Sequence, residues 1–231
     1  EPHYLEGMLA LAERHPQIDY FYPARLMLTG ADGTPTGQHW EYADFSDNRL
    51  LPGFIFENGY GPIPNPGSLK SKSLFERVGG YDDVNSVEDF VFLCRNALQI
   101  RFMRVDNDAA YFYRQLAGGS SHNFKARDRV MADVLNYMVS AYPPELLCPR
   151  LAEIADAADR QRYYLEYLAR TFYRHSKGPM VQCGDYFRRY GDYYRRRLER
   201  ATEAKGAQDS AAALLDGPCL LYTSPSPRDL S

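Results

Sequence analysis

Two adjacent acidic residues, Glu88 and Asp89, stand at the predicted start of a helix and are the strongest candidates for chemistry. With Ser86 as the N-cap, Asp89 takes the third helical position, where the helix dipole favours an ionised carboxylate. An ionised carboxylate can accept the proton of an attacking hydroxyl group, which is the role of a general base. The same S-x-x-D spacing is also an ordinary capping pattern, so a purely structural role stays open.

The segments around these acids are short and clearly delimited. Residues 73–76 read Ser-Leu-Phe-Glu, a capping-box pattern that predicts a helix ended by Gly79-Gly80. Apolar residues recur at helical spacing from Phe90 to Leu98, which predicts a second helix behind the acids. A first helix is predicted over 1–15, and strands are predicted over 18–28, 101–105 and 109–114.

The ordered motifs between residues 65 and 115 resemble those of the family 2 glycosyltransferases. The matching pieces are the run Lys-Ser-Lys-Ser-Leu-Phe-Glu-Arg-Val-Gly-Gly-Tyr-Asp over 70–82, then Glu88-Asp89, then Tyr113-Arg114. The resemblance covers roughly residues 1–125 and implies the acceptor-side half of a GT-A nucleotide-sugar fold. It implies inverting transfer of a sugar from a nucleotide-sugar donor to a glycan, lipid-linked or protein acceptor. Asp89 would be the base, and Glu88 would orient the acceptor or the base.

The resemblance also implies a divalent metal, Mg²⁺ or Mn²⁺, at the leaving diphosphate. The family's metal-binding Asp-x-Asp motif is absent from this sequence and is expected a few residues upstream of Glu1. Arg114 is a candidate for binding the diphosphate, or else forms a surface ion pair. His122 is a candidate for binding the donor or the metal, or else is a solvated histidine. It belongs to a Gly/Ser-rich loop over 118–123, which could close over the donor or be a plain linker.

Aromatic and amide side chains over 40–67 are candidates for the acceptor side of the cleft. In the family, the stretch equivalent to the one beginning at Asn65 lines that side, so Asn65 is a candidate acceptor-binding residue. The rings of Trp40, Tyr42 and Tyr60 could stack on the C–H faces of sugar rings. Packing in the core or anchoring of a loop is equally open for each ring. The segment has weak periodicity and is predicted to be a long connection.

The composition excludes several classes of protein. The 231 residues carry 27 Lys+Arg against 30 Asp+Glu, a net charge of -3, so binding to nucleic acid is not expected. No apolar run reaches the ~18 residues of a membrane span, and the first residues lack the pattern of a signal peptide. The four cysteines are far apart, so neither a zinc site nor a disulfide framework is predicted. A cytoplasmic location is expected, with peripheral contact at the inner face of the membrane as an option.

An α/β part followed by helices alone is predicted. Residues 1–125 would form a partial GT-A mixed sheet with its helices, and residues 126–216 an all-helical extension. Residues 217–231 resemble a translated sequencing adapter, or else a Pro/Ser-rich disordered tail, and are left out of the fold prediction. Because the sequence starts in helical register without methionine, we expect an N-terminally truncated fragment that is inactive alone.

One basic and aromatic helix stands out in the extension. Residues 151–205 hold 12 Lys/Arg and 8 Asp/Glu, a local charge of +4. Within them the run 185–190 is echoed seven residues later, a spacing that keeps equivalent residues on one helix face. This face could cover the catalytic domain, lie on an anionic membrane through residues 181–205, or pair with another chain. The alternative to an enzyme is therefore a non-catalytic GT-A-like binding module with a membrane- or partner-attachment region.

Overall fold

The structure is a computed structural model that describes residues 2–83, 87–106, 111–114, 124–179 and 181–206. Helices and strands are mixed, which confirms the predicted α/β class. The chain divides into unit 1, residues 1–55 and 60–122, and unit 2, residues 56–59 and 123–231. Four predicted features lie outside the described residues, namely Ser86, His122, the 118–123 loop and the 217–231 tail.

The described part of unit 1 contains two small sheets with helices around them. Its elements are α1 (Pro2–Arg14), β1 (Tyr20–Pro23), β2 (Arg25–Thr29), β3 (Pro35–Glu41), α2 (Leu50–Asn58, ending in unit 2), β4 (Leu69–Lys70), α3 (Lys72–Val78), α4 (Glu88–Asn96), β5 (Phe102–Val105) and β6 (Phe112–Arg114). In the first sheet, β1 pairs antiparallel with β4 and parallel with β5. In the second sheet, β2 pairs antiparallel with β3 and parallel with β6.

The strand predicted over 18–28 is in fact two strands that belong to different sheets. β1 ends at Pro23 and β2 begins at Arg25. Pro23 has no amide hydrogen, so it cannot donate to the ladder. Ala24 then donates its N–H to Val105 O at 2.9 Å, and the chain enters the second sheet. The prediction of extended backbone is confirmed, whereas the prediction of one continuous strand is wrong.

The long connection predicted over 40–67 contains the end of β3 and all of α2, so this prediction is wrong. Leu51 and Ile55 of α2 are fully buried. A helix that is apolar on several sides has no clear 3.6-residue period, which is why the pattern did not reveal it. Pro52 and Gly53 also resemble turn signals. Pro52 lies in the first turn, where its missing N–H removes no intrahelical bond.

The helix that precedes the candidate site has a different N-cap from the predicted one. Ser71 is the N-cap of α3, and its Oγ accepts a hydrogen bond from Leu74 N at 3.2 Å. Ser73, the predicted N-cap, lies inside the helix and donates to Ser71 Oγ at 3.1 Å. Gly79 ends the helix with φ 85°, a conformation that glycine adopts without strain. The predicted helix end is therefore confirmed and its predicted start is wrong.

A buried carboxylate, Asp19, joins three segments of unit 1. Its side chain is 2% exposed and accepts hydrogen bonds from Arg77 Nη2 at 2.9 Å and Arg101 Nε at 3.1 Å. The amide of Arg101, just before β5, donates to the same carboxylate at 3.0 Å. The backbone oxygen of Asp19 accepts from Ser71 N at 2.9 Å. These bonds hold the start of α3 beside the first sheet.

We expect Asp19→Ala to lower the free energy of unfolding by about 2 kcal/mol, because hydrogen bonds to a buried charged group are lost. Burial alone would raise the pKa of Asp19, but the bonds from Arg101 and Arg77 outweigh it and hold the pKa below 3.8. The stabilisation is therefore present above pH 3.8 and is lost as pH falls through the lowered pKa.

Urea unfolding between neutral and acid pH measures this effect, with Asp106→Ala as an exposed control. The difference in free energy of unfolding between Asp19→Ala and the wild type should become smaller at acid pH. The control should match the wild type at every pH. A deficit that does not change with pH would contradict the role of the charged carboxylate.

From residue 124 onward, the regular elements among the described residues of unit 2 are all helices. It consists of α5 (Phe124–Ala141), α6 (Pro144–Leu147), a 3-10 turn (Pro149–Glu153), α7 (Ala157–His175) and α8 (Asp185–Gly206). Helices are also the elements that the sequence predicts for the extension over 126–216, of which residues 207–216 lie outside the described part.

Tyrosine rings of α8 form much of the core of unit 2. The ring of Phe172 on α7 lies 5.3 Å from that of Tyr190 and 5.8 Å from that of Tyr194. The two tyrosine hydroxyl groups donate hydrogen bonds to side chains of α5. Tyr190 donates to Asp133 Oδ1 at 2.8 Å, and Tyr194 donates to Asn136 Oδ1 at 2.6 Å. A buried ring whose hydroxyl group is hydrogen-bonded is a stable use of tyrosine in a core. This packing accounts for part of the chain's high tyrosine content.

Candidate functional site

The two candidate acids occupy the first turn of α4. Val87 is the N-cap, with φ 61° and no side-chain capping bond, so Asp89 is at the second helical position rather than the third. A β-branched residue in the left-handed region is strained, at a cost of about 1–3 kcal/mol. Strain of this kind persists only where the surroundings impose it, and it is common at functional sites. The backbone next to Asp89 is therefore held in an unusual geometry.

Asp89 is half-buried, and its carboxylate accepts a hydrogen bond from Phe90 N at 2.7 Å. Burial raises the pKa of Asp89 above 3.8, and the Glu88 carboxylate raises it further. The bond from Phe90 and the charge of Lys70 oppose this rise without cancelling it. The sequence predicts a carboxylate whose ionised form is favoured, but desolvation reverses the direction of the pKa shift. The ionised form is consequently a stronger base.

Lys70 of β4 is the cation that acts on Asp89. Its Nζ donates to Asn65 Oδ1 at 2.8 Å and to Ser68 Oγ at 2.5 Å. The antiparallel register pairs Lys70 with Tyr20 of β1, and Nζ lies 4.3 Å from the centre of that ring. Burial lowers the pKa of Lys70 to about 8, although the charge of Asp89 opposes the change.

Asn65, predicted to bind the acceptor, belongs to the same cluster. Its Oδ1 accepts a second hydrogen bond from Tyr81 OH at 3.1 Å. Burial, with the nearby carboxylate of Asp89, raises the pKa of Tyr81 to about 12, so its hydroxyl group stays protonated and can donate. We define the polar cluster as Asn65, Ser68, Lys70, Tyr81 and Asp89.

Two of the three aromatic candidates for sugar stacking, Trp40 and Tyr60, lie on the surface of unit 1, and the third, Tyr42, is half-buried. Trp40 of β3 is 43% exposed, and its ring lies 5.4 Å from that of Tyr113. Tyr60 is 54% exposed and meets Phe54 edge-on at 5.9 Å. Both rings have accessible surface for a ligand, and their role in binding the acceptor stays a prediction.

Arg114 ends β6 and is exposed beside the turn between β2 and β3. A Cβ atom on Gly33 of that turn would lie 3.2 Å from Arg114 Nη2. Hydrogen bonds from Thr34 lower the pKa of Asp32, and the charge of Arg114 contributes in the same direction. The charge of Arg114 therefore acts on a carboxylate of unit 1, and both the surface ion pair and the binding of a diphosphate stay predictions.

Among the described residues, no group of three or more His, Cys, Asp or Glu could hold a metal ion. The divalent metal that the resemblance implies has no such group of ligands in this part of the chain, and its binding stays a prediction. His122, the one candidate ligand that the sequence offered, lies outside the described residues.

Three members of the polar cluster were not predicted as site residues. Ser68 and Lys70 are two positions apart at a strand, a spacing that puts side chains on one face and could have linked them. Tyr81 follows the Gly79-Gly80 helix end, and its ring packs 5.8 Å from Phe75 and 5.0 Å from Phe92. The pairing of β4 with β1 has no local signal, so the approach of Lys70 to the acids could not be anticipated.

Three of the rings of the basic aromatic helix α8, those of Phe187, Tyr190 and Tyr194, are buried within unit 2. Phe187 is 1% exposed and Tyr194 is 5% exposed, and the seven-residue echo places both on one face. Arg195 lies at the edge of this face, 5.8 Å from the ring of Tyr173. The rings are thus used for packing inside the unit. Membrane contact through residues 181–205 stays a prediction, and it would depend on the exposed arginines.

A cleft of about 430 Å³ lies between α7 and α8. Two of its four cationic side chains are paired with acids, Arg174 with Glu57 and Arg195 with Asp192. The cleft therefore lacks the large excess of positive charge that would indicate a polyanion site. The other charged lining residues are Glu166, Arg170 and Lys177.

No family model matches the chain, and no curated protein or solved structure matches it either. Within the part of the chain that the structure describes, no helix is both long enough and apolar enough to cross a membrane. A functional assignment must therefore come from the motifs over 65–115 and from the geometry of the polar cluster.

Proposed function

We propose that this chain is the acceptor-side part of an inverting glycosyltransferase in which Asp89 is the general base. The observation that carries the proposal is the half-buried carboxylate of Asp89, with its raised pKa, inside the Gly-Gly-Tyr-Asp and Glu-Asp motif frame. Burial makes this carboxylate a stronger base, and the charge of Lys70 favours its ionised form. A base for an alcohol needs both properties.

In the proposed step, an acceptor hydroxyl oxygen attacks the anomeric carbon of the nucleotide sugar on the face opposite the diphosphate. The new C–O bond forms as the bond from the anomeric carbon to the diphosphate oxygen breaks. The bonding electron pair leaves with the nucleoside diphosphate. The hydroxyl proton passes to the Asp89 carboxylate and later to solvent. Because attack and departure are in line, the anomeric configuration is inverted.

The remaining roles in the proposal follow the resemblance. Glu88 would orient the acceptor or Asp89, and Asn65, Trp40 and Tyr60 would contact the acceptor. On the donor side, Arg114 and His122 would contact the diphosphate.

The test is a transfer assay with the complete gene product that carries this chain. Nucleotide sugars are incubated with glycan and lipid-linked acceptors, while nucleoside diphosphate release and the anomeric configuration of the product are measured. The expected result is release that depends on the acceptor, with an inverted product. Retention of configuration would overturn the proposed step. Absence of release by a folded protein with every donor would favour the non-catalytic binding module.

A further inference from the structure

The side-chain amide of Asn65 has a fixed orientation. Its Oδ1 accepts hydrogen bonds from Lys70 Nζ at 2.8 Å and Tyr81 OH at 3.1 Å. An ammonium group can only donate, so the oxygen of the amide must be the atom that meets Lys70. Within the described residues, Asn65 Nδ2 has no hydrogen-bond partner, and the residue keeps part of its surface exposed. The two N–H donors of Nδ2 are consequently unpaired within the described part of the chain.

Lys70 is itself held from several directions. Its Nζ donates to Ser68 Oγ as well as to Asn65, and the Tyr20 ring lies 4.3 Å away on another side. Ser68 Oγ donates in turn to the backbone oxygen of Asn65 at 2.6 Å. These bonds tie the side-chain oxygen of Asn65 to Lys70 of β4 and its backbone oxygen to Ser68, just before β4. Because the ammonium group of Lys70 is hydrogen-bonded to Asn65 and Ser68, we expect it to act on a substrate indirectly, by orienting these side chains.

We propose that Lys70 is a positioning residue that locks the Asn65 amide so that Nδ2 donates to a hydroxyl oxygen of the acceptor. This inference rests on the proposed glycosyl transfer and adds the way in which the acceptor is held. Lys70 and Tyr81 donate hydrogen bonds to Asn65 Oδ1, and both also interact electrostatically with Asp89. When Nδ2 donates to the hydroxyl oxygen of the acceptor, the hydroxyl hydrogen stays free to bond to a carboxylate. The acceptor class this arrangement fits is a polyhydroxylated sugar.

Kinetics of the complete gene product test the contact with the acceptor. Asn65→Ala should raise the KM for the acceptor about 3- to 10-fold, the usual effect of losing one or two hydrogen bonds, while the KM for the donor stays unchanged. Lys70→Met should raise the acceptor KM in the same way, because the freed amide can rotate. Lys70→Met should also move the acid limb of the pH–rate profile to higher pH, since the cation that lowers the pKa of Asp89 is gone.

Lys72→Met is the matched control, because Lys72 is 91% exposed and lies only two positions away. It should leave both KM values and the pH profile unchanged. An equal rise of donor and acceptor KM in Asn65→Ala, or an unchanged acceptor KM in Lys70→Met, would overturn the positioning role.

A second readout needs no activity and so separates this inference from the proposed function. In asparagine-labelled protein, the side-chain amide signal of Asn65, assigned by its loss in Asn65→Ala, is followed by NMR against pH. It should shift with a midpoint near 8, the pKa of Lys70, and Lys70→Met should abolish the step while Lys72→Met keeps it. Absence of the step in the wild type would overturn the lock. A clear step in a protein without transferase activity would support the lock and reject the proposed function.

Discussion

Replacing Asp89 by asparagine is expected to lower the rate of sugar transfer by about 10²- to 10⁴-fold, the usual contribution of a general base. Asparagine preserves the size of the side chain but cannot take up the hydroxyl proton. The loss should appear in kcat, with the KM for the donor nearly unchanged, because the carboxylate acts on the acceptor. The measurement is the steady-state kinetics of the complete gene product and its variant, after circular dichroism has shown that both are folded.

Asp83→Asn is the matched control for this variant. Asp83 is exposed and lies shortly before the same helix. The substitution makes the same change from acid to amide outside the polar cluster. Its transfer rate should equal that of the wild type. The wild-type rate should also rise with pH through a midpoint above 3.8, because burial raises the pKa of Asp89. Unchanged turnover in Asp89→Asn would remove Asp89 from the role of base.

Replacing Asp128 by alanine is expected to lower the free energy of unfolding of unit 2 by about 3–5 kcal/mol, the usual effect of breaking a buried ion pair. The side chain of Asp128 is fully buried, and Arg127 Nη2 donates to its Oδ1 at 2.9 Å. Its Oδ2 accepts from Gln182 N and Cys183 N, both at 2.8 Å, just before α8. Loss of this carboxylate removes the bonds that hold the entry to α8 beside α5.

Chemical unfolding followed by circular dichroism measures this effect. Asp185→Ala is the control, because the Asp185 side chain is 84% exposed and its bridge to Arg188 is a surface pair. Such pairs contribute little to stability, so the control should unfold within about 1 kcal/mol of the wild type. Asp128→Asn should lie between the two, since it keeps one acceptor oxygen. Equal stability of Asp128→Ala and Asp185→Ala would contradict the role given to the buried carboxylate.

Elements governed by neighbouring residues were predicted well. The end of α3 at Gly79 follows from the conformations open to glycine, and Glu88 and Asp89 lie in the first turn of α4 as predicted, although the helix begins one residue later than a Ser86 cap implies. The N-caps were less predictable, because Ser71 and Ser73 both have the chemistry to cap α3. The choice between them depends on Asp19, whose backbone oxygen binds the amide of Ser71.

The candidate site was only half predictable for a similar reason. Glu88, Asp89 and Asn65 stand out by type and motif, and the structure brings Asn65 and Asp89 into one cluster. Lys70 was missed as a site residue because its position depends on pairing with Tyr20, a distant residue on another strand. Pairing across a sheet leaves no mark in the residues beside Lys70.

The sequence by itself determined that α3 ends at Gly79 and that Glu88 and Asp89 open α4. These features depend on backbone stereochemistry and on side chains a few positions apart. Only the tertiary structure decided the direction of the pKa shift of Asp89, because desolvation and the charge of Lys70 come from groups brought together by folding. The tertiary structure also decided that the rings of Tyr190 and Tyr194 on α8 pack inside unit 2. Whether a helix face is buried depends on which other helix covers it, and that pairing is set by contacts between residues far apart in the sequence.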